Sequence, residues 1–209
     1  MIFHYRTASG WITHFALVVL SIGMTSLVHA AALDVNLSDD TAEFRFITPV
    51  GYEDDTQPYN RQRKQRNTFG GAELDLGFLS TSTDDVIAMI GFQAVDAAGS
   101  ATPGLKVGVG VKAFAGTIDS HDVYAATLGG NARFLIFNRV AIFGDLHYAP
   151  NVVTFGDASR LLYFNAHLEY EILPQAVVYI GYRKLRANLD AGGHISIDNG
   201  AHVGLQFLF

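Results

Sequence analysis

Apolar side chains recur at every second position through most of this chain, in segments long enough to cross a lipid bilayer. In residues 104–115, for example, leucine and valines alternate with lysines and glycines. A period of two places the two sets on opposite faces of a β-strand. Strands of soluble sandwiches have about 5–6 residues, whereas a tilted transmembrane strand needs about 9–11. The clearest segments have the longer length: 104–115, 122–136, 139–149, 160–172, 176–187 and 195–209.

This pattern predicts an all-β fold, a transmembrane antiparallel up-and-down β-barrel of about ten strands. Residues 32–37 and 42–49 can pair across Ser38-Asp39-Asp40, and eight further segments follow from 71–80 to 195–209. The alternative is an eight-stranded barrel with the first hairpin outside it.

The amino-terminal residues have the composition of a secretory signal peptide. Arg6 precedes an apolar stretch from about Phe15 to Val28, and Val28-His29-Ala30 fits a small-x-small cleavage site. The apolar stretch is too short for a spanning helix, which needs about 20 residues. We therefore expect residues 1–30 to be removed and residues 31–209 to form one barrel domain.

Composition excludes two classes of protein. Without residues 1–30 the net charge is −7, because only Arg6 is lost and no acid is. An acidic chain is not expected to bind nucleic acid, which requires a basic surface. The sequence contains no cysteine, so a disulfide-stabilised fold is excluded as well.

The last strand resembles the signal by which barrels enter the bacterial outer membrane. The chain ends on Phe209, with a second aromatic at Phe207. We expect these residues to engage the barrel-assembly machinery of a Gram-negative bacterium, with the carboxyl terminus in the periplasm. Counting strands back from that terminus places the long loop 50–69 in the periplasm too. That placement is unusual, because periplasmic turns are normally the short ones.

Several segments resemble the YfaZ family of small proteobacterial outer-membrane proteins. They are Leu33–Asp40, Gly71–Phe78, Pro103–Gly110, His147–Pro150, Leu168–Pro174 and Tyr179–Lys184, in this order along the chain. The resemblance implies an outer-membrane barrel. It implies no reaction and no substrate, so no catalytic residue is transferred from it.

Charged side chains on the polar faces of the strands are predicted to line the lumen. The favoured interpretation is a structural barrel whose lumen is filled by ion-paired side chains, since a barrel of eight to ten strands leaves little free bore. A narrow charged pore, with the properties of a small porin, is the alternative. The predicted lumen-lining residues are Glu73, Asp75, Lys106, Lys112, Arg133, Asp145, Glu169 and Glu171.

The only dense run of basic residues lies in loop 50–69, at Arg61, Arg63, Lys64 and Arg66. Arginine can bind phosphate through two parallel hydrogen bonds. A lipopolysaccharide- or partner-binding surface is therefore the second hypothesis for function, and anionic lipid headgroups are the alternative ligand if the loop is periplasmic. A solvated loop without a partner is the simpler interpretation.

A third hypothesis is a lipid hydrolase. His194, Ser196 and Asp198 fall on one face of the last strand in a regular alternation. Neighbours on one strand are about 7 Å apart, too far for a working triad without another partner. The sequence therefore favours a protein that is not an enzyme. No cofactor and no metal site are predicted, because His147 and His167 lack a nearby second ligand.

Aromatic residues near the ends of segments are predicted to lie at the lipid–water boundary. They include Tyr148, Tyr163, Tyr170, Tyr179 and Tyr182. Phe143 stands out because it falls on the polar side of its strand.

Overall fold

The computed structural model describes residues 31–50, 71–83, 85–97 and 104–209. The predicted signal peptide and the basic run at 61–66 lie outside these residues. The described chain is almost entirely extended, with one short 3-10 helix at Asn151–Val153. Its strands are β1 (Ala32–Ser38), β2 (Thr41–Val50), β3 (Gly71–Thr81), β4 (Val86–Ala97), β5 (Leu105–Ile118), β6 (His121–Phe137), β7 (Val140–Ala149), β8 (Thr154–Gly156), β9 (Ala158–Leu173), β10 (Ala176–Leu189) and β11 (His194–Leu208).

The strands close into a ten-stranded antiparallel barrel. Each long strand pairs with its sequence neighbours, and β1 pairs with β11 from Ala32↔Leu208 to Ser38↔His202. The predicted ten-stranded fold is confirmed. The eight-stranded alternative is wrong, because the β1–β2 hairpin is part of the wall and makes the closing contact.

β8 is a short insertion that continues the wall beside β6. β7 pairs with the second half of β6, starting at Leu128↔Tyr148. Beyond that pair the chain forms the 3-10 helix and then returns as β8, opposite Val123–Ala125 of β6. Part of the first half of β6 is therefore paired on this side, at Val123–Ala125, although β7 is too short to reach it.

The period-two pattern of the sequence separates the outside of the wall from its inside. In β5, Val107, Val109 and Val111 are exposed, whereas Lys112 and Phe114 are buried. The other long strands show the same division. Exposed apolar side chains therefore cover the outer wall, as in a barrel surrounded by lipid. Within the described residues, no helix is long and apolar enough to cross a membrane.

The two ends of the barrel differ in their connections. The carboxyl-terminal end holds the start of β1, the end of β11, and the tight turns at 138–139 and 174–175. β2 and β3 also meet residues 51–70 there, because Val50 pairs with Ala72. The opposite end, called the distal end below, holds the turns at 39–40, 119–120 and 190–193. The count of strands from the sequence therefore assigned these turns and the connection between β2 and β3 to the correct end of the barrel.

The filled barrel interior as candidate functional site

An apolar cluster fills the distal part of the interior. Its members come from β3 to β11 and are all buried, so they meet across the lumen. Large side chains such as Phe114, Leu161 and Leu185 are almost wholly inaccessible. We call this cluster the apolar plug. It consists of Leu79, Ile87, Met89, Phe114, Ile118, Val123, Ala125, Ala149, Ala158, Leu161, Tyr163, Leu185, Ala187 and Ile197.

Next to the plug, Arg183 of β10 lies at the centre of a polar cluster that crosses the β1–β11 closure. Its side chain is 0% exposed. Nε donates to Asp198 Oδ2 at 2.5 Å, and Nη2 donates to Thr41 Oγ1 at 2.6 Å. Nη1 donates to Asn36 Oδ1 at 2.5 Å and also to Glu43. A buried arginine needs such partners, since an unpaired buried charge is costly.

The partners of Arg183 are also bonded to each other. Thr41 Oγ1 donates to Asp198 Oδ2 at 2.8 Å, and Asn36 Nδ2 donates to Glu43 Oε2 at 2.7 Å. These residues belong to β1, β2 and β11. The cluster therefore ties four consecutive strands together from the inside, at the point where the barrel closes.

A second chain of charges joins β2, β3, β5 and β7. Arg45 donates to Asp75 through Nε at 3.2 Å and Nη2 at 2.5 Å. Lys112 Nζ lies 3.4 Å from Asp75 and 2.5 Å from Asp145. Asp145 Oδ1 in turn lies 3.1 Å from His147 Nε2. From Arg45 to Asp145 opposite charges alternate along this chain, so each carboxylate has a cationic neighbour.

Aromatic rings and a third ion pair occupy the part of the lumen nearer the carboxyl-terminal end. The ring of His167 stacks between Phe143 and Tyr179, with centroids 4.7 Å and 4.3 Å away. Tyr179 donates a hydrogen bond to Asp34. Arg133 Nε donates to Glu169 Oε2 at 2.7 Å. The interior is therefore occupied by side chains along its length, apolar at one end and polar beyond it.

The predicted lumen-lining residues all lie on the inner face of the wall. Asp75, Lys112 and Asp145 belong to one chain of charges, and Arg133 pairs with Glu169. Glu73 accepts a hydrogen bond from Gln93 at 3.0 Å. Lys106 and Glu171 are half-buried near the carboxyl-terminal end.

Comparison with known proteins identifies the family. The family model described as YfaZ precursor matches residues 66–209, more than half of the chain. The chain belongs to the YfaZ family. The match begins after β2, so the hairpin that closes the barrel lies outside the matched region. No curated protein matches the sequence.

The YfaZ barrel is also similar to solved outer-membrane channels. The KdgM porin, in a complex with disordered oligogalacturonate, is 11% identical with a TM-score of 0.43, over 87% of this chain and 99% of KdgM. The outer membrane channel DcaP of Acinetobacter baumannii is 10% identical with a TM-score of 0.41, over 86% of this chain. The YfaZ chain spans 62% of the length of DcaP.

The prediction that His194, Ser196 and Asp198 share one face of the last strand was wrong. Leu185 of β10 pairs with Asp198, but the next residue, Arg186, pairs with Ser196. Ile197 is therefore the extra residue of a β-bulge, which shifts the alternation by one position. His194 and Ser196 are exposed, whereas Asp198 is buried and bound to Arg183. The three side chains are not brought together.

Two of the predicted boundary aromatics face inward instead. Tyr163 and Tyr179 are buried in the lumen, where one joins the apolar plug and the other stacks on His167. Tyr148, Tyr170 and Tyr182 are exposed on the outer wall, and their place at the lipid–water boundary stays a prediction. Phe143, which the sequence pattern placed on the polar side of its strand, also lies inside the barrel, where its ring stacks on His167.

Most of the Arg183 cluster was not predicted from the sequence. The predicted lumen-lining residues include neither Arg183 nor its partners in β1 and β2, which are Asn36, Thr41 and Glu43. A signal was present, because Glu43 and Arg45 alternate with Phe44 and Phe46 in the same way as the assigned strands. Arg183 was harder to assign, since Lys184 follows it and either residue could face the lumen.

The remaining predicted features are on the outer wall or outside the described residues. Phe207 and Phe209 are exposed at the end of β11, and the ring of Phe209 lies 6.5 Å from that of Phe46. Their role as an insertion signal stays a prediction. Among the residues that the structure describes, no group of three or more histidine, aspartate or glutamate side chains could hold a metal ion.

Proposed function

We propose that this protein is a structural outer-membrane barrel with a closed lumen, rather than an open pore. The observation that carries the proposal is the filled interior. Arg183 is 0% exposed, and the apolar plug lies on its distal side. A conducting pore needs a continuous file of water, and its wall charges would be hydrated.

The pairing of the interior charges supports the same conclusion. Arg183, Lys112 and Arg45 each have carboxylate partners within the barrel. The lumen of a barrel of about eight strands is just wide enough for side chains to fill it. In this ten-stranded barrel, long ionic and aromatic side chains fill the wider lumen. The charged residues thus connect different strands through ion pairs inside the barrel and do not line a water-filled channel.

The location proposed is the outer membrane of a Gram-negative bacterium. An apolar outer wall, family membership and the aromatic carboxyl terminus support it. On this proposal residues 1–30 direct export and are removed, and the barrel-assembly machinery inserts residues 31–209 through the strand that ends in Phe207 and Phe209.

The basic loop is less suited to lipopolysaccharide than the sequence suggested. It joins β2 to β3 at the carboxyl-terminal end, which is periplasmic by the usual convention for these barrels. Lipopolysaccharide lies in the opposite leaflet. If Arg61, Arg63, Lys64 and Arg66 bind a partner, we propose anionic headgroups of the inner leaflet.

Hydrolysis is not supported by the geometry of β11. The acid that would complete a triad is bound to Arg183 inside the wall, while Ser196 is on the outside. Lipid A and phospholipid profiles from cells with the wild type and with Ser196→Ala should therefore be identical by mass spectrometry.

Planar-bilayer recording tests the closed lumen. We expect the wild-type protein to insert without discrete conductance steps. A variant with Phe114, Leu161, Leu185, Tyr179 and Arg183 all changed to alanine should conduct, because it removes large side chains from the plug and also from the polar and aromatic parts of the lumen beyond it. A matched control with Leu146, Ile180 and Val203 changed to alanine alters only the outer wall and should stay silent. Reproducible steps from the inserted wild type would refute the proposal.

A further inference from the structure

Three basic side chains interrupt the apolar outer wall at one place. Arg183, Leu185 and Ala187 of β10 point inward and are 0% exposed, so Lys184 and Arg186 between them point outward. Arg160 occupies the outer face of the adjacent strand β9 and is exposed. We call Arg160, Lys184 and Arg186 the basic wall patch. The other charged residues on outward strand positions of the described chain are acidic and lie near strand ends, at Asp96 and Asp122.

Strand register brings the patch together near the distal end. Lys184 pairs with Phe164, Arg186 with Leu162, and Asn188 with Arg160. The three cations are therefore spread over two neighbouring strands. Asn188, the partner of Arg160, is four residues beyond Lys184, so the patch extends about 13 Å along the strands.

A cleft with a volume of about 250 Å³ lies at the distal part of the patch. Its walls combine hydrogen-bond donors with leucine side chains, and its lining residues are Tyr148, Arg160, Leu161, Leu162, Arg186 and Asn188. Two guanidinium groups, a phenol and an amide suit an anionic oxygen ligand. The leucines suit a ligand that also has a hydrocarbon part.

Within the residues that the structure describes, the patch has no anionic partner. In the described parts of the chain, no carboxylate lies within ion-pairing distance of Arg160, Lys184 or Arg186, although the basic residues inside the barrel are paired. The Nε atom of Arg186 is also buried without a hydrogen-bond partner. Cations on the lipid-facing wall of a barrel are unfavourable unless they lie near headgroups.

The position of the patch agrees with the headgroup level. Tyr182 precedes it on β10, and its hydroxyl donates to Asn199 on β11. Below Tyr182 the outward residues of β10 are apolar, with Ile180 exposed. Tyrosines with one apolar and one polar end are typical of the boundary between hydrocarbon and headgroups. Lys184 and Arg186 come directly after Tyr182 on β10, on the side of this boundary where the headgroups would lie.

We propose that the basic wall patch binds the phosphates of lipid A in the outer leaflet. This inference rests on the proposed outer-membrane location, with the carboxyl terminus in the periplasm. Arginine binds phosphate through two parallel hydrogen bonds and lysine through its point charge. Cations spread over about 13 Å fit a headgroup that carries a phosphate at each end, and Leu162 and Phe164 can contact its acyl chains.

Native mass spectrometry of the detergent-extracted full protein tests the site. Bis-phosphorylated lipid A is the probe, compared with its dephosphorylated form, phosphatidylglycerol and inorganic phosphate. Changing Arg160, Lys184 and Arg186 to glutamine should weaken lipid A binding at least tenfold, and raising the salt concentration should weaken wild-type binding. The control Arg139→Gln removes one charge from an exposed turn at the other end of the barrel; it is compared with Arg186→Gln and should bind lipid A within twofold of the wild type.

Unchanged lipid A binding by the wall triple would overturn the assignment. Equal binding of dephosphorylated lipid A, or of phosphatidylglycerol, would overturn it as well. Displacement of lipid A by inorganic phosphate at equal concentration would mean an adventitious anion site. If the wall triple does not fold, the single change Arg186→Gln should still weaken binding by several-fold. Failure of the location proposal is distinguishable, because the wild type would then be missing from the outer-membrane fraction.

Discussion

Arg183 is the residue on which the interior polar cluster depends. Replacing it with methionine would leave the carboxylates of Glu43 and Asp198 buried without their cation. Removing one partner of a buried ion pair lowers the free energy of unfolding by about 3–5 kcal/mol. We expect Arg183→Met to reduce the free energy of unfolding by about this amount, measured from urea denaturation in lipid vesicles.

Removing the whole charge cluster should be much less harmful than removing one member. The triple variant Arg183→Met, Glu43→Gln, Asp198→Asn leaves no unpaired charge and should recover most of the lost stability. Arg139, in an exposed turn, is the control, and Arg139→Gln should change stability by no more than about 0.5 kcal/mol. A single Arg183 variant as stable as the wild type would contradict the role assigned to this cluster.

Gly204 is required by a close approach between two strands. Tyr179 lies opposite it, and a Cβ atom at Gly204 would fall within the phenol ring. Gly204→Ala should displace Tyr179 from Asp34 and destabilise the barrel by about 1–3 kcal/mol. The cost should shrink in a Tyr179→Ser background, because the two sites are in contact. Gly144→Ala is the matched control, since open space surrounds its Cβ.

At the scale of elements, the β1–β2 hairpin is what makes the barrel ten-stranded. β1 pairs with β11 over seven residues, from Ala32 to Ser38, and β2 pairs with β3 over ten, from Thr41 to Val50. Deleting residues 32–50 would leave unpaired edges on β3 and β11. We expect the shortened protein to give no heat-dependent shift on a gel, because the barrel cannot close.

A second variant separates loss of the hairpin from shortening of the chain. Replacing residues 51–70 with a two-residue turn removes a similar length but keeps all ten strands, and Val50 still reaches Ala72. This variant should retain the heat-dependent shift. A heat-dependent shift in the protein without residues 32–50 would show that the remaining strands can close without the hairpin.

The elements were predictable wherever an uninterrupted alternation determined the face of each side chain. β5 and β9 are examples, since their predicted lumen-lining residues Lys106, Lys112, Glu169 and Glu171 lie on the inner face. The prediction failed in β11, because a bulge at Ile197 reverses the alternation and no local sequence pattern marks it. The partners of Arg183 could not be assigned either, because they depend on which strands meet when the barrel closes.

At the scale of the whole molecule, the two ends of the barrel must face different compartments. A carboxyl terminus in the periplasm places the turn at Asn138 on the periplasmic side and the turn at Asp190 outside the cell. It also places the basic wall patch in the outer leaflet. The orientation therefore links the proposed location to the proposed lipid site, and it can be measured directly.

The absence of cysteine makes this measurement simple, because each introduced thiol is the only one in the chain. Asp190→Cys and Asn138→Cys both replace exposed turn residues, so neither should disturb folding. With a membrane-impermeant maleimide on intact cells, we expect labelling at position 190 and none at 138. Permeabilising the outer membrane should make position 138 reactive as well. The reverse pattern would place Arg160, Lys184 and Arg186 in the inner leaflet, where lipid A is absent, and would exclude the lipid assignment while leaving the closed barrel intact.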